Sequence, residues 1–319
     1  MSNITATIIE ASSGSSITCQ DVVSLSFNKE WYTPYSTLSI TLLSDTALSD
    51  SNEITLIINS KIIHDGPIYS LEAERQADGR FQISIYSKSY TAALGVNQPI
   101  PKINSDVNLE DILTSNITLP NISCEADTDT VNYVYILDKD TLWDAIVAYS
   151  IKAYDSYPFI RGANTVRVTP PDSGYSIFSY SSEVLTTSYG TNLSNLISKI
   201  NMKDFDESYE TYELENTYAT ERDIIREKKI NYDSQWLSEP EAALEKRVKY
   251  SNRATSYKAV KVLGYSGEDL FDKFTVQVDG SSFIRLKRIH RIHISANQNG
   301  IVTRLYTYFD SYSGDISIS

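Results

Sequence analysis

The side chains that most often carry chemistry are few in this chain. Its three histidines are His64, His290 and His293. In an extended strand, positions 290 and 293 point to opposite faces, so these two imidazoles cannot bind one metal ion together. The sequence contains no G-x-S-x-G, P-loop, G-x-G-x-x-G or H-E-x-x-H motif. We therefore expect no catalytic residue, no metal site and no cofactor, and we predict that the protein is not an enzyme.

Carboxylates cluster in one stretch, where Glu210, Glu213, Glu215 and Glu221 stand among tyrosines and threonines. General acid–base catalysis needs carboxyl groups paired so that their environments separate their pKa values. The spacing here gives no recognisable pairing, so we interpret the stretch as a solvated acidic strand or loop. A hydrolase that uses a glutamate between residues 207 and 221 is kept as a further hypothesis.

A basic run contains Arg285, Lys287, Arg288 and Arg291. If one strand covers this region, alternation places Arg285, Lys287, Arg291 and His293 on a single face. Such a face could be a solvated strand face, a docking surface for an acidic protein neighbour, or a nucleic-acid patch. The sequence leaves these three readings open.

Composition indicates a globular, tyrosine-rich protein of two or three domains. The chain has 319 residues, 41% of them hydrophobic, and 23 are tyrosines. Its net charge of −13 is uneven, because residues 1–172 carry −11 and residues 173–319 carry −2. An acidic front half argues against wrapping duplex DNA. The charge either keeps the protein soluble or forms a surface that passes nucleic acid without holding it.

Cysteine usage and the N-terminus bear on the compartment. Cys19 and Cys124 are far apart, with neither metal-ligand spacing nor a disulfide framework, so we expect reduced thiols. The first 14 residues have no basic region and no apolar region of a signal peptide. No apolar run approaches the roughly 18 residues of a membrane span. We expect synthesis in the bacterial cytoplasm without a signal peptide, and no membrane insertion by this chain.

The clearest element is a helix over residues 141–153. Thr141 and Asp144 have the spacing of a capping box. Residues at helical spacing behind them form an apolar stripe, namely Leu142, Ala145, Ile146, Tyr149 and Ala153. A second helix capped by Asn108 and a strand over residues 165–168 complete a small α+β domain, residues 99–172.

The first 98 residues are predicted to form an antiparallel β-barrel domain. Apolar residues alternate with polar ones at 23–27, 38–42, 54–58 and 81–85, as in half-buried strands. We predict turns at residues 64–67, which read His-Asp-Gly-Pro, and at Asp78-Gly79.

Residues 173–319 are predicted to form a second, similar β-barrel domain. It carries a helix over about 239–251, opened by Ser238 and bearing a Glu245–Lys249 ion pair. Strands follow at 258–263, 273–278, 283–295 and 301–309. The order of strands and glycine turns at 54–90 recurs at 273–309, which indicates a duplication. The predicted fold class is therefore mainly β with an α+β insert: two similar antiparallel β-barrel domains plus a small mixed domain.

Four passages carry a family resemblance. They are residues 65–68 (DGPI), residues 85–101 with IYSKSYTAAL and NQPIP, the helix opening at 140–144 (DTLWD), and residues 226–229 (REKK) ahead of the second capped helix. In this order the chain resembles the baseplate hub proteins of contractile phage tails and phage-tail-like bacteriocins. These are the Mu-type and PBSX-type relatives of the late control protein D and VgrG families.

The resemblance implies a structural baseplate hub. In that family, two similar barrels per subunit form a homotrimeric ring with pseudo-sixfold symmetry. The ring joins the hexameric tail tube, or a tube-initiator protein, to the trimeric central spike. It further implies contact with other baseplate proteins, an acidic lumen that binds no nucleic acid specifically, and a place in the baseplate of a virion or tail-like particle. Any wall-cutting activity would belong to a separate partner.

An alternative function rests on the same helix. Residues 140–144 also resemble the opening of a LysM module, which binds peptidoglycan sugars and would make this a wall-recognition protein using the region of Trp143. A LysM module needs a second helix. Here residues 156–159 lead into a glycine turn and a strand instead.

Overall fold

The computed structural model describes residues 4–10, 14–48, 50–116, 118–170, 175–236, 239–310 and 312–313. Strands hold 48% of the residues and helices 14%, so the fold is mainly β, as predicted. The first strands are β1 (Ile4–Glu10), β2 (Ser16–Cys19), β3 (Val22–Glu30), β4 (Ser36–Ser44), β5 (Ser51–Ile58), β6 (Lys61–Arg75) and β7 (Phe81–Lys88).

A mixed region follows, after a 3₁₀ helix at Tyr90–Gly95. It contains β8 (Lys102–Val107), α1 (Leu109–Thr114), β9 (Ser123–Cys124), β10 (Val131–Ile136), α2 (Leu142–Tyr154), β11 (Phe159–Arg161) and β12 (Thr165–Arg167). The remaining elements are β13 (Ile177–Tyr180), β14 (Val184–Thr191), β15 (Lys199–Met202), β16 (Tyr212–Glu215), α3 (Thr217–Thr220), β17 (Glu227–Ile230), a 3₁₀ turn at Ser234–Trp236, α4 (Pro240–Ser251), β18 (Ser256–Leu263), β19 (Lys273–Val278), β20 (Ser281–Arg288), β21 (Arg291–Asn297) and β22 (Gly300–Tyr308).

One curled sheet of eleven strands organises the molecule. Its order is β14-β18-β22-β21-β3-β4-β7-β6-β5-β1-β2, and every neighbouring pair is antiparallel. Strands from the beginning and the end of the chain meet where β3 pairs with β21. The seven strands of the first predicted β-barrel domain and four strands of the second thus share one curled half-barrel sheet, so the predicted layout of two barrels is not confirmed.

Within this sheet, a four-stranded arrangement occurs twice. Unit A consists of β3, β4, the distal half of β6 (residues 68–75) and β7; unit B consists of β14, β18, β21 and β22. In both units the fourth strand of the chain order lies between the second and the third in space. The register, meaning which residues of neighbouring strands lie opposite each other, repeats as well. In unit A one line of directly paired residues is Leu25, Ile40, Ile85 and Leu71. The matching line in unit B is Thr187, Val260, Leu305 and Ile292.

Irregularities of the backbone repeat with it. A bulge interrupts the first strand pair after Val22 in unit A and after Val184 in unit B. Where the second strand of each unit begins, it is bonded to the residue that follows the fourth strand: the Ser89 amide donates to the Ser36 carbonyl at 3.0 Å, and the Phe309 amide donates to the Ser256 carbonyl at 2.9 Å. A shared bulge and a shared register are more specific than a common hairpin order.

Helix α2 forms where a helix over residues 141–153 was predicted, and it packs its apolar stripe into the core. The Thr141 hydroxyl accepts from the Asp144 amide at 3.2 Å, while the Asp144 carboxylate accepts from the Thr141 amide at 2.8 Å. Asp155 ends the helix in the left-handed conformation, with φ of 48°. Four stripe residues are fully buried, namely Leu142, Ala145, Ile146 and Tyr149. Helix α1 is capped by Asn108 in the same reciprocal way.

A buried ionic cluster holds the mixed region to the sheet. The Lys29 ammonium lies 2.6 Å from Asp269 and donates to the Gly162 carbonyl at 2.7 Å. The Asp269 carboxylate also accepts from the Gly162 amide at 2.7 Å. Beside it, Arg161 pairs with Asp272 at 2.8 Å. Burial raises the pKa of Asp269, but the Lys29 charge and hydrogen bond outweigh it, so the net pKa lies below its usual value.

Residues 197–251 form a further small unit that the sequence did not reveal. Strands β15, β16 and β17 form a separate sheet under α4, around a core of Ile197, Ile200, Met202, Ala243 and Leu244. Helix α4 matches the predicted helix, but the predicted Glu245–Lys249 ion pair is wrong. Lys249 instead contacts Asp155 at 2.8 Å, because α4 lies against the end of α2. Ser238, the predicted cap, lies outside the described residues.

The predicted turn at residues 64–67 is wrong. These residues lie inside β6, at the point where this strand changes its partner from β5 to β7. A Cβ on Gly66 would lie 2.1 Å from the Lys88 carbonyl oxygen. The glycine is therefore required for close strand approach, and not for chain reversal.

The predicted single strand over residues 283–295 is also wrong. It breaks into β20 and β21, which belong to different sheets. At the break, the Ile289 amide donates to the Asp272 carbonyl and the Ile289 carbonyl accepts from the Phe271 amide, both at 2.8 Å. Backbone pairing with residues 271–272 thus turns the chain out of one sheet and into the other.

Candidate assembly site

The face of the sheet opposite the core is lined by small polar side chains. In unit A they come from alternate positions of four adjacent strands and line a groove of about 700 Å³; they are Ser24, Ser26, Ser39, Thr41, Ser70 and Ser84. We call this the hydroxyl face. Such short side chains leave the sheet surface open, because none of them reaches far from the backbone.

Both units carry charged residues on this face, among them Lys88 of β7 in unit A. Unit A carries the exposed carboxylates Glu72 and Glu74 on β6, and unit B carries Lys261, Arg304 and Arg291. None of these side chains belongs to an ion pair among the described residues. The face is therefore mixed in charge.

Strand β14 is the edge of unit B. The Asn192 amide donates to the Thr255 carbonyl at 2.8 Å, and this bond shows which residues of β14 direct their N–H and C=O groups toward β18. In an antiparallel ladder every second residue directs its N–H and C=O toward the partner strand. Thr187, Tyr189 and Thr191 therefore direct theirs away from β18, and no described strand pairs with that side.

The distal half of β6 is the edge of unit A. The Gln76 amide donates to the Arg80 carbonyl at 2.8 Å across the Asp78-Gly79 hairpin, which was predicted correctly. By the same alternation, Leu71, Ala73 and Arg75 direct their N–H and C=O away from β7. Strand β5 covers only the proximal half of β6, so among the described residues this edge is unpaired.

The two edges have matching geometry. On each, the residues with outward N–H and C=O groups place their side chains opposite the hydroxyl face. The pairing of β3 with β21, which we call the internal junction, shows the same orientation. There the Trp31 amide donates to the His290 carbonyl at 2.8 Å. By alternation, the core-facing residues Lys29, Phe27 and Leu25 therefore direct their N–H and C=O groups toward β21. The two free edges therefore orient their backbone groups and side chains as the two strands at the internal junction do.

The histidines lie apart. His64 is buried between the Ser36 and Ser87 hydroxyls, each 2.8 Å from a ring nitrogen, and burial lowers its pKa to about 3. His290 is buried against Trp31, and its Nδ1 accepts from the Tyr308 amide at 2.8 Å. Burial, together with the Arg288 and Lys287 charges, lowers the pKa of His290 to about 3.

His293 lies on the hydroxyl face, where Ser26 Oγ is 3.2 Å from its Nε2. Burial and then the Arg291, Arg304 and Lys261 charges lower its pKa. Among the described residues, no group of three or more His, Cys, Asp or Glu side chains is placed to hold a metal ion. Cys19 is buried, Cys124 is half-buried, and both are free thiols.

The predicted glutamate cluster lies on and beside β16. Glu210, Glu213, Glu215 and Glu221 are exposed, and Glu213 contacts Lys199 at 2.8 Å. That contact, with a hydrogen bond from Asn201, lowers the pKa of Glu213. The arrangement fits a solvated acidic strand.

The predicted single basic face does not form. Arg285 and Lys287 lie on β20, whereas Arg291 and His293 lie on β21 in the eleven-stranded sheet. The break at Ile289 separates the two pairs.

Trp143 faces the core and is only 5% exposed. Its ring centroid lies 6.4 Å from that of Tyr157 in an edge-to-face arrangement. Helix α2 is followed by β11 and not by a second helix. The LysM alternative is therefore not supported, because a buried indole has no face to offer a sugar.

Comparison with known proteins gives likeness in fold. A tail protein from Neisseria meningitidis MC58 matches with a TM-score of 0.69 at 14% identity, over 98% of this chain and 99% of that chain. The 43 kDa tail protein of prophage MuSo2 from Shewanella oneidensis matches with a TM-score of 0.66 at 12% identity, over 96% and 98% of the two chains.

A component of the E. coli type VI secretion system, described as similar to the T4 bacteriophage tail proteins gp27 and gp5, has a TM-score of 0.56 at 9% identity, over 92% of this chain and 74% of that chain. No protein-family model matches the chain, and no curated protein matches it. The resemblance to phage-tail hub proteins, predicted from four short passages, is confirmed at the level of the fold. No described helix is long and apolar enough to cross a membrane.

Sequence reasoning missed both edges and the register of the repeat. Most matched positions in the two units carry different residues, as Leu25 with Thr187 and Ile40 with Val260 illustrate. The signals that did point to the repeat were the Asp78-Gly79 and Asn299-Gly300 hairpins. They stand at matching places, before the last strand of each unit.

Proposed function

We propose that this chain is a structural baseplate hub of a contractile tail or related injection particle. In this proposal it is a homotrimer that joins a hexameric tail tube to a trimeric central spike. The observation that carries the proposal is the four-stranded unit repeated, register for register, within one sheet. Likeness in fold to phage tail proteins and to a type VI secretion component supports a structural role without catalysis.

Symmetry explains why a repeat within the chain suits an adaptor. A head-to-tail interface generates a closed ring when the rotation it imposes closes. Two units per chain in three chains give six backbone units around one axis, which can face a hexameric tube. The rest of each chain occurs three times and can face a trimeric spike. Residues 1–98 and 173–319 would each supply one barrel-like unit, and residues 99–172 the mixed domain between them.

The free edges supply the interface between subunits. We propose that the distal half of β6 in one subunit pairs with β14 of the next, as β21 pairs with β3 within each chain. Carrying the internal register over places Leu71 opposite Thr191, Ala73 opposite Tyr189, and Arg75 opposite Thr187. Closure also removes two unpaired edges, which otherwise invite aggregation.

The side chains of these edges fit the pairing. Tyr189 is 75% exposed in the single chain, and the small Ala73 opposite it would leave room for its ring. Aromatic side chains bury large areas and keep a polar hydroxyl at the surface. A cross-strand contact of this kind would bury a side chain that the single chain leaves in water.

The proposed trimeric ring implies a set of binding partners. They are the tail tube or tube-initiator protein, the central spike and other baseplate proteins, and the location is the baseplate of a virion or phage-tail-like particle. We propose no specific nucleic-acid binding, because the described hydroxyl face is rich in serine and threonine and mixed in charge.

Thr187→Pro tests the proposed pairing of β6 with β14 of the next subunit, which we call the seam. Proline removes the outward amide of Thr187 without breaking the β14–β18 ladder, so it should block strand addition and leave the single chain folded. We expect the wild type to have three times the 35.9 kDa chain mass by light scattering, and a threefold ring in electron-microscopy class averages. We expect the Thr187→Pro variant to be a monomer.

Thr187→Ala is the matched control, because it shortens the side chain and keeps the amide; it should still form the trimer. Oxidising the Ala73→Cys/Tyr189→Cys variant should give covalent trimers, since opposed residues of a ladder lie within disulfide reach. Either single cysteine variant should give none. A monomeric wild type, or a Thr187→Pro variant that assembles normally, would contradict the proposal.

A further inference from the structure

The proposed seam joins two strands of opposite character on the hydroxyl face. On β6, Glu72 and Glu74 are exposed, and neither belongs to an ion pair among the described residues. On β14, the corresponding face carries Ser188 and Gly190, which bear no charge and hardly rise above the backbone. One edge thus presents two carboxylates, and the other leaves space above its backbone.

Two long side chains from inner strands lie over the β14 backbone. Arg304 of β22, which lies opposite Lys261 of β18, spans β18, and its Nη2 donates to Ser188 Oγ at 3.0 Å. Tyr257 of β18 covers Gly190 so closely that a Cβ there would lie 2.6 Å from the phenol oxygen. Both polar groups therefore extend toward the free edge of the sheet.

The register of the seam brings these groups together. With Ala73 opposite Tyr189, the hydroxyl-face residues fall so that Glu74 is opposite Ser188 and Glu72 is opposite Gly190. Opposed side chains on one face of an antiparallel pair lie about 4.5–5.5 Å apart at Cβ. A guanidinium already at Ser188 Oγ is then within reach of the carboxylate of Glu74.

We propose that Arg304 forms an ion pair with Glu74 of the neighbouring subunit, and that the Tyr257 hydroxyl donates to Glu72 of the same neighbour. This inference rests on the proposed trimer. It names the side-chain contacts by which the β14 edge of one subunit recognises the β6 edge of the next. The partner is a second copy of this chain, recognised by two carboxylates spaced along one strand edge.

The internal junction supports this assignment. There too, polar side chains cross from strand to strand on the hydroxyl face. His293, which matches Glu72, has Ser26 Oγ 3.2 Å from its Nε2, and Arg291 donates to Asn28 Oδ1 at 2.9 Å. Glu72 and Glu74 on the edge of β6 correspond to His293 and Ser295 at the internal junction, so the two junctions share a backbone pattern and differ in charge at these positions. That difference favours the edge of β6 as the partner of β14.

Charge reversal tests the ion pair. Arg304→Glu and Glu74→Arg should each weaken the trimer by on the order of tenfold to a hundredfold in dissociation constant, because each leaves two like charges opposed at the seam. The double variant Arg304→Glu/Glu74→Arg should recover at least tenfold of that loss. Lys228→Glu on β17 makes the same change in net charge as Arg304→Glu, but lies in a separate sheet, and should leave assembly unchanged.

The readout is sedimentation of the full chain over a concentration series, with circular dichroism to check that each variant folds. If the wild type forms trimers and Arg304→Glu assembles with wild-type affinity, or if the double variant is no better than the single ones, the ion pair is overturned and the trimer stands. If the wild type forms no trimer, the hub proposal itself fails, and the ion pair with it.

Discussion

Mild acid should destabilise this protein through two buried histidines. His64 and His290 have pKa values lowered from 6.5 to about 3, chiefly by burial. The unfolded chain binds protons at these sites near pH 6.5, whereas the folded chain does not until the pH approaches 3. Between those values the unfolded state holds more protons, so stability is full above pH 6.5 and is lost as the pH falls.

The size of the effect follows from the two pKa values. Linkage gives a loss of about 2 kcal/mol for each histidine between pH 7 and pH 5, or about 4 kcal/mol for both. Most single domains have only about 5–15 kcal/mol of stability, so this is a large fraction. The loss arises because neither imidazole has a carboxylate beside it to compensate a positive charge. His64 lies between two hydroxyls, and His290 accepts a backbone hydrogen bond among aromatic rings.

Urea unfolding at pH 7 and pH 5 measures this loss, and proton NMR of the three histidine Cε1 signals assigns it to sites. His64→Gln and His290→Gln should each remove about half of the pH dependence, since glutamine does not titrate. His293→Gln, on a half-buried ring, should remove less. A wild-type loss below about 1 kcal/mol, or three signals that all titrate between pH 6 and 7, would refute the reasoning.

Two further substitutions test the packing. Trp143→Ala should cost about 3–5 kcal/mol in the free energy of unfolding by denaturant melts, because the indole is buried; a loss under about 1 kcal/mol would mean that it is exposed. Asp269→Asn should cost about 3–5 kcal/mol, since it leaves the Lys29 ammonium buried without a countercharge. Asp78→Asn, at an exposed pair with Arg80, is the matched control and should leave the unfolding midpoint unchanged.

Local signals in the sequence predicted local structure well. The Thr141 and Asn108 caps fix helix starts through contacts three residues apart, so the sequence alone reveals them. Alternation likewise predicted which residues of β3, β4 and β5 face the core, because the period of a strand is set by its backbone.

The errors lie where distant segments meet. Gly66 reads as a turn residue, yet it serves the approach of β7, which begins fifteen residues later. Ile289 sits in an unbroken apolar and basic run, yet pairing with Phe271 and Asp272 divides that run between two sheets. The proposed assembly site was beyond the sequence for the same reason. An edge is defined by the strand that is missing from it, and no local pattern encodes that.

The repeat is conserved between units A and B in the backbone, whereas most of the side chains differ. Units A and B share strand order, register and a bulge, whereas matched positions such as Ile85 and Leu305, or Glu72 and His293, carry different residues. In a closed ring of three chains, the main chain would approximate sixfold order while the chemical surface keeps threefold order. A substitution on a hydroxyl-face residue would then alter three places around the axis and spare the three places between them. One gene product could in this way tune its contacts with a threefold partner without disturbing the scaffold that meets a sixfold one.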